Sequence, residues 1–430
     1  MKARSGSALT FGVAVALIAG VTLGNGGANV MPVFVDDFAS RFSLSVSTAG
    51  LVAATQLMAT AVVTLLLAKR AARPGRVRMA RLGLALSGVG FLGATVAADP
   101  VTLILANLVL GAGLGAVYAA ATAALAATDD ADKASAVTVS GTVCVTALLI
   151  MAVPAANHDL AEGTGFLLMA LCCLVAWPLV RRLPDGPAGS GAGSGAGSGV
   201  GSGAGSAGSA GSSGLAGSGG SSGLAGSARS EEGVTASAQP SVVLLLGTAL
   251  LWAVTQGAWS YASVLGREHT GMSHSAVSAV LAISSVVALG GTVVGPIAAR
   301  RFGRMRSMAA FVTGQALAMA LLIFTHDPVL FVVAAVLWQT CQLAVLVQML
   351  AAAALIDSTG RLVASLSGAG ALGTGIGPLA VGAILDGAGV GVLSVVLAVG
   401  TFVASLPLLR MTVAGGKGTD ERQSALEPTV

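Results

Sequence analysis

The polar side chains best suited to hold a solute are amides and aromatic rings inside long apolar stretches of the sequence. Asn25 and Asn29 lie four residues apart and would share one face of a helix. A buried amide costs free energy in lipid unless it meets a partner or a wet cavity. Amides and indoles together favour an uncharged or aromatic organic solute, held by neutral hydrogen bonds and stacking. The alternative is that they bond neighbouring helices to one another.

Ionisable side chains are missing from the middle of these stretches, so an inorganic ion would find no buried countercharge. The nearest acids are Asp36 and Asp37 after the first stretch, and Asp129 and Asp357 at the ends of two others. An acid at membrane depth is a natural proton carrier. We therefore expect Asp36 or Asp37 to carry any coupled proton, with solvated helix-end charge as the alternative.

Several other chemistries are excluded by residue type or context. The run 368–373 reads G-x-G-x-x-G but follows no strand, so it is not interpreted as a dinucleotide site. No Walker motif is present, which excludes ATP as the energy source. We expect no catalytic residues, no metal, no cofactor and no nucleic-acid partner. The cysteines lack metal-ligand spacing and are interpreted as small buried hydrophobic residues: Cys144, Cys172, Cys173 and Cys341.

The elements that carry these residues are predicted to be membrane-spanning helices. Of the 430 residues, 55% are hydrophobic and 9% charged, whereas a soluble domain carries about 25% charged residues. So little charge excludes a soluble globular protein. An isolated span must satisfy its own backbone hydrogen bonds, so the fold class is an all-α membrane protein with twelve transmembrane helices. They cover about residues 8–34, 46–68, 79–98, 101–127, 134–156, 164–180, 241–265, 273–299, 307–325, 328–355, 362–385 and 390–410.

A Gly/Ser/Ala-rich stretch divides the helices into two groups of six. We predict six-helix bundles at 1–182 and 241–411, joined by a disordered linker at 183–240 and followed by a tail at 412–430. Of the 22 Lys and Arg, all but Arg41 and Arg267 fall on one side of the predicted membrane. The positive-inside rule then places both termini and the linker in the cytoplasm. We expect a multi-pass protein of a bacterial plasma (inner) membrane.

The two groups are related by an internal repeat at an offset of 228 residues. This shift places the loop 73–78 on the loop 301–306, and Asp99-Pro100 on Asp327-Pro328. Matches at one offset predict two halves in the same orientation, related by a pseudo-twofold axis along the membrane normal. The same shift also places Ser45 on Ser273, Asp129 on Asp357 and Lys133 on Arg361.

These features resemble the major facilitator superfamily. The resemblance rests on the two six-helix halves, the long central loop and the R-x-G-R-x-R loop after the second and eighth helices. It implies transport of a small-molecule substrate by alternating access between the halves. Two features depart from the family pattern. The acid that usually precedes the loop arginine is Ala72 in one copy and Arg300 in the other, and Asn107 stands where many proton-coupled members carry an arginine.

The resemblance also implies that helices 1, 4, 7 and 10 line the cavity. Their polar and aromatic residues are the candidate substrate-binding set: Asn25, Asn29, Asn107, Tyr118, Trp252, Gln256, Trp259, Trp338, Gln339 and Gln342. A candidate cytoplasmic gate combines the arginine loops with acid–base pairs that we expect to exchange partners with Arg76 and Arg304. It comprises Arg73, Arg76, Asp129, Lys133, Arg301, Arg304, Asp357 and Arg361. The alternative for the gate is solvated charge of little energetic weight.

The sequence thus predicts a monomeric secondary active transporter of a small, uncharged or aromatic organic solute, linked to protons and embedded in the lipid bilayer. Two alternatives stay open. One is an uncoupled facilitator, or uniporter, which the lack of charge at membrane depth allows. The other is a transport-inactive membrane sensor or scaffold.

Overall fold

The computed structural model describes residues 8–185, 242–356 and 361–424, and the elements in these ranges are helices. The first half contains α1 (Phe11–Gly24), α2 (Gly26–Asn29), α3 (Met31–Arg41), α4 (Val46–Ala71), α5 (Arg76–Val96), α6 (Pro100–Leu125), α7 (Ala131–Asp159) and α8 (Thr164–Leu179), with a 3₁₀ turn at Val180–Arg182. The second half contains α9 (Val242–Thr270), α10 (His274–Val287), α11 (Leu289–Phe302), α12 (Arg304–Phe324), α13 (Pro328–Ile356) and α14 (Arg361–Ser424). The predicted linker lies mostly outside the described residues.

The predicted all-α membrane fold is confirmed. Ten stretches of helix in the described ranges are long and apolar enough to cross a membrane. One of them, α14, contains two predicted spans separated at Gly389, where φ is +76°. The predicted first span corresponds to the succession α1–α2–α3, so all twelve predicted spans are helical in the described ranges. It extends further than predicted, to Arg41, so Asp36 and Asp37 stand within α3 rather than beyond the helix end.

The 228-residue repeat reappears as matching local geometry. Gly75 and Gly303, equivalent in the repeat, both turn the arginine loop with positive φ, at +106° and +83°. Asp99 caps α6 by accepting hydrogen bonds from the amides of Val101 and Thr102, and Asp327 caps α13 in the same way. The Thr102 hydroxyl also donates to Asp99, which lowers the pKa of that exposed carboxyl. The short charged motifs therefore mark helix ends at equivalent places in both halves.

Charge distinguishes the two ends of the helix bundle. We call the end with the loops 73–78 and 301–306 the basic face. We call the opposite end, with Asp99 and Asp327, the acidic face. The first span runs from the basic face to the acidic face, and α4 runs back.

Glycines allow close helix packing inside the first half. A Cβ on Gly111 of α6 would lie 2.3 Å from the Gln56 carbonyl oxygen of α4, and one on Gly115 would lie 2.5 Å from that of Thr60. The Thr60 hydroxyl donates to the Gly111 carbonyl at 3.0 Å, which fixes the same contact. These small residues let α4 and α6 approach at backbone distance.

A Gly111→Ala variant is therefore expected to be destabilised, by about 1–3 kcal/mol, because its methyl group meets backbone rather than a flexible side chain. Gly290→Ala is the matched control, since a Cβ on Gly290 of α11 has no neighbour within 4 Å. Thermal unfolding in detergent should show a lower midpoint for Gly111→Ala and an unchanged or higher midpoint for Gly290→Ala. Equal midpoints would contradict the close packing of α4 on α6.

Candidate functional site

The two predicted asparagines lie where the first span breaks into short pieces. Asn25 and Val30 leave regular helical geometry on either side of α2. The Asn25 amide donates to the Asn29 side-chain oxygen at 3.3 Å, and the Asn29 amide donates to the Thr146 hydroxyl of α7 at 3.3 Å. Both asparagines are buried. Asn29 thus ties α2 to α7, and Asn25 faces the cavity described next.

A small cavity lies between the two halves. Asn25 and Tyr118 line it, which brings two predicted substrate-binding residues together. The Tyr118 hydroxyl is buried and has no hydrogen-bond partner within the described ranges. No charged residue is among the described residues that line this cavity. The remaining lining residues are small, hydroxylated or aliphatic: Gly24, Ala28, Leu57, Thr60, Ala61, Thr64, Ala371 and Thr374.

A second small cavity lies inside the second half and is lined by two other predicted residues, Trp252 and Gln342. Gln315 of α12 also lines it and donates to the Thr255 hydroxyl at 3.1 Å. Sequence reasoning missed Gln315 because it considered helices 1, 4, 7 and 10 only. The signal was present, since Gln315 is an amide in an apolar helix like the others.

Six predicted residues are buried but line neither of these cavities: Asn29, Asn107, Gln256, Trp259, Trp338 and Gln339. Asn107 donates to the Leu103 carbonyl of its own helix at 2.9 Å. The Gln339 amide has no hydrogen-bond partner in the part of the chain that the structure describes. Trp338 packs edge to face on Trp259, with ring centroids 6.1 Å apart.

The halves meet through a stripe of polar residues on α9. Gln256 donates from its amide to the Ala28 carbonyl at 3.1 Å, and the Trp259 indole donates to the Asn29 carbonyl at 3.2 Å. Both side chains are fully buried. These two predicted residues therefore bind backbone of the opposite half in this conformation.

The same stripe continues to the acidic face, where it meets Asp36. Arg267 of α9 forms an ion pair with Asp36, and Ser263 donates to the same carboxylate at 3.4 Å. His274 of α10 approaches Asp36 with its Nδ1 at 3.0 Å. The Asp36 side chain is only 5% exposed. Asp37 instead stays within the first half, where its carboxylate accepts a hydrogen bond from Asn157 at 2.7 Å.

Two more bonds join the halves near the acidic face. The Ser47 amide donates to Asp386 at 2.8 Å, and the Tyr261 hydroxyl donates to the Val46 carbonyl at 2.8 Å. Gly50 makes room for this hydroxyl, since a Cβ there would lie 2.2 Å from it. Along both the first span and α4, these contacts lie on the acidic side of the cavity between the halves. The interface is therefore closed between that cavity and the acidic face.

Comparison with known families agrees with this architecture. The family model described as Major Facilitator Superfamily matches residues 16–360. The chain belongs to the major facilitator superfamily. It is accordingly a multi-pass membrane transporter rather than an enzyme, and transporters of this superfamily bind a small-molecule substrate in the membrane.

Solved structures show the same fold at low sequence identity. A mutant of the peptide transporter POT matches with a TM-score of 0.71 and 12% identity, covering 96% of this chain and 98% of that one. A mutant of the nucleoside transporter NupG matches with a TM-score of 0.67 and 11% identity, over 94% and 100%. A bacterial homolog of the human lysosomal transporter Spinster, inward-facing and unoccupied, matches with a TM-score of 0.59 and 17% identity, over 94% of each chain. No curated protein matches the chain.

At the basic face of this superfamily member, the candidate gate residues occupy different environments. Arg76 is fully buried and donates to the carbonyls of Ala71, Ala72 and Pro184 within its own half. The others are exposed or half-buried: Arg73, Asp129, Lys133, Arg301 and Arg304. Within the described ranges, no ion pair joins Asp129 to Lys133. Asp357 and the Arg361 side chain lie outside the described residues, so the exchange of partners stays a prediction.

Proposed function

We propose that this chain is a secondary active transporter of a small, uncharged or aromatic organic solute, which moves through the cavity between the halves by alternating access. The observation that carries the proposal is the neutral lining of that cavity. Asn25, Tyr118 and three threonines supply polar groups, and the remaining described lining is aliphatic. Such a surface suits a neutral solute, since a charged one would lose its hydration without gaining a countercharge.

We propose that the protein works as a monomer in the plasma membrane with its basic face in the cytoplasm, because the Lys and Arg bias of the loops favours that orientation. The closed acidic face then points outward, and the conformation described here is closed to the outside. The gate at the basic face would close when the acidic face opens.

Proton coupling is the second part of the proposal. Asp36 supports it because its carboxylate is buried at the boundary between the halves, where protonation would weaken its pairing with Arg267. An uncoupled facilitator is the other candidate, and the lack of charge in the described cavity lining favours it. Collapsing the proton gradient with an ionophore separates the two, because it abolishes solute accumulation by a coupled transporter and leaves downhill flux through a facilitator.

The transported solute can be found by comparing metabolite pools inside and outside cells that overexpress the protein. A compound depleted inside and enriched outside indicates export, and the reverse indicates uptake. The double variant Asn25→Leu, Tyr118→Phe should reduce the shift at least about tenfold, because it removes two polar contacts of the cavity. Thr55→Val is the matched control, since Thr55 of α4 is half-buried, does not line the cavity and donates to the Leu51 carbonyl of its own helix. Pools that do not respond to the intact protein would refute transport.

A further inference from the structure

Pro32 sets free a backbone carbonyl in the first span. A regular helix would bond the Ala28 carbonyl to the amide of residue 32, but proline has no N–H. The next amide, of Val33, donates to the Val30 carbonyl three residues back at 3.1 Å. The helix is therefore broken at Val30, which separates the short α2 from α3. Here Ala28 and Asn29 turn their carbonyls to the opposite half rather than into their own helix.

Two side chains of α9 donate hydrogen bonds to those carbonyls. Gln256 donates to Ala28 at 3.1 Å and Trp259 donates to Asn29 at 3.2 Å, and all four residues are buried. Ala28 and Gln256 are 228 residues apart, which is the offset of the internal repeat. A residue that contacts its own repeat equivalent lies at the pseudo-twofold axis. The contact is thus at the centre of the molecule, and Ala28 also lines the cavity between the halves.

Opening the acidic face by moving α9 away from the first span would break both pairs, because each pair joins opposite halves. Unpaired buried donors and acceptors cost free energy, so the open state needs another partner for them. The Gln256 side-chain oxygen already has no hydrogen-bond partner in the described part of the chain. A solute that offers both donors and acceptors would pair with the two carbonyls and with the Gln256 and Trp259 side chains.

We infer that the carbonyls of Ala28 and Asn29, with Gln256 and Trp259, form a hydrogen-bonding set that is closed on itself here and binds the solute when the acidic face opens. The solute class is a neutral molecule that carries N–H or O–H donors beside an acceptor, such as a primary amide or a lactam. The carbonyls accept from its donors, and the amide and indole N–H groups donate to its acceptor. This inference rests on the proposed function and specifies the solute.

The first test measures the closed form of the set. Spin labels at Leu160→Cys and Ser275→Cys report the distance between the halves at the acidic face, because both positions are exposed there on opposite halves. The native cysteines are replaced by alanine. Trp259→Phe removes the indole donor but keeps a ring, and should raise the population with a long label distance about fivefold or more. Trp177→Phe, on α8 away from the set, is the control. Equal populations in the two variants would overturn the inference.

The second test measures solute class with two probes, benzamide and N,N-dimethylbenzamide, which share the carbonyl and differ in donors. The full-length protein should bind benzamide about tenfold more tightly in thermal-shift titrations, because only benzamide can pair the two carbonyls. Pro32→Ala should reduce this preference, since it supplies an amide N–H to the Ala28 carbonyl. Equal behaviour of the two amides, including no binding of either, would overturn the inference.

The amide-binding test and the metabolite-pool experiment can fail independently of each other. The metabolite-pool experiment depends on neither amide. A protein that shifts metabolite pools but treats the two amides alike would refute the hydrogen-bonding set and leave transport standing. A protein that prefers benzamide but shifts no pool would refute transport and retain the set as a binding site.

Discussion

Replacing Arg267 with glutamine is expected to open the acidic face. The distance between the two halves there should change more than in almost any other single variant. Arg267 pairs with Asp36 across the two halves, and the Asp36 side chain is 5% exposed. Removing Arg267 leaves the buried Asp36 carboxylate with only Ser263 and the His274 ring beside it, and breaking a buried pair costs up to about 3–5 kcal/mol. Opening exposes Asp36 to water and relieves that cost. The closed state is therefore the one that loses stability.

The same spin labels at Leu160→Cys and Ser275→Cys measure this result as a longer distance in Arg267→Gln. The double variant Asp36→Asn, Arg267→Gln removes the orphaned charge and should return toward the original distance, since coupled partners do not act additively. Arg301→Gln is the control for a loss of positive charge, because Arg301 is exposed at the basic face. Additive effects of the two substitutions would show that the pair does not hold the halves together.

Much of the fold could be predicted because hydrophobicity and caps are local. The uncharged stretches locate the spans, and Asp99 and Asp327 end up as equivalent caps of α6 and α13. The break in the first span also has a local cause in Pro32, but the pattern of apolar residues does not reveal it. Helix was expected to end near residue 34, and it continues through two acids to Arg41 because these acids find partners in α9 and α7.

The candidate site was less predictable because its contacts join residues far apart in sequence. Asp36 and Arg267 are 231 residues apart, and nothing local indicates that α3 and α9 cross there. An amide in an apolar helix, such as Gln256, indicates only that the side chain needs a polar partner. It could not tell whether that partner is a solute or the Ala28 carbonyl of the other half. Side-chain identity reports the need for a partner, and only the packing of the halves decides which partner is met.

Arg76 shows the same limit at the basic face, since sequence places it and Arg304 at equivalent positions of the repeat. In the structure the two arginines lie in different environments. Arg76 is fully buried and its guanidinium donates to three carbonyls, at 2.7, 3.1 and 3.3 Å, whereas Arg304 is half-buried. Asp185 reinforces the loop by accepting from the Gly75 and Arg76 amides, both at 2.7 Å. Arg76 thus joins the α4–α5 loop to the end of the sixth span.

Arg76→Ala is therefore expected to lower the free energy of unfolding by about 3 kcal/mol or more, because it leaves buried carbonyls unpaired. Arg304→Ala, the matched control from the repeat, should cost less than about 1 kcal/mol. Arg76→Lys should rescue little, since an ammonium group lacks the planar fork that reaches several carbonyls at once. Thermal unfolding in detergent and the yield of folded protein measure both effects. Similar losses at the two positions would mean that the arginine loops act alike and that burial of Arg76 contributes no stability of its own.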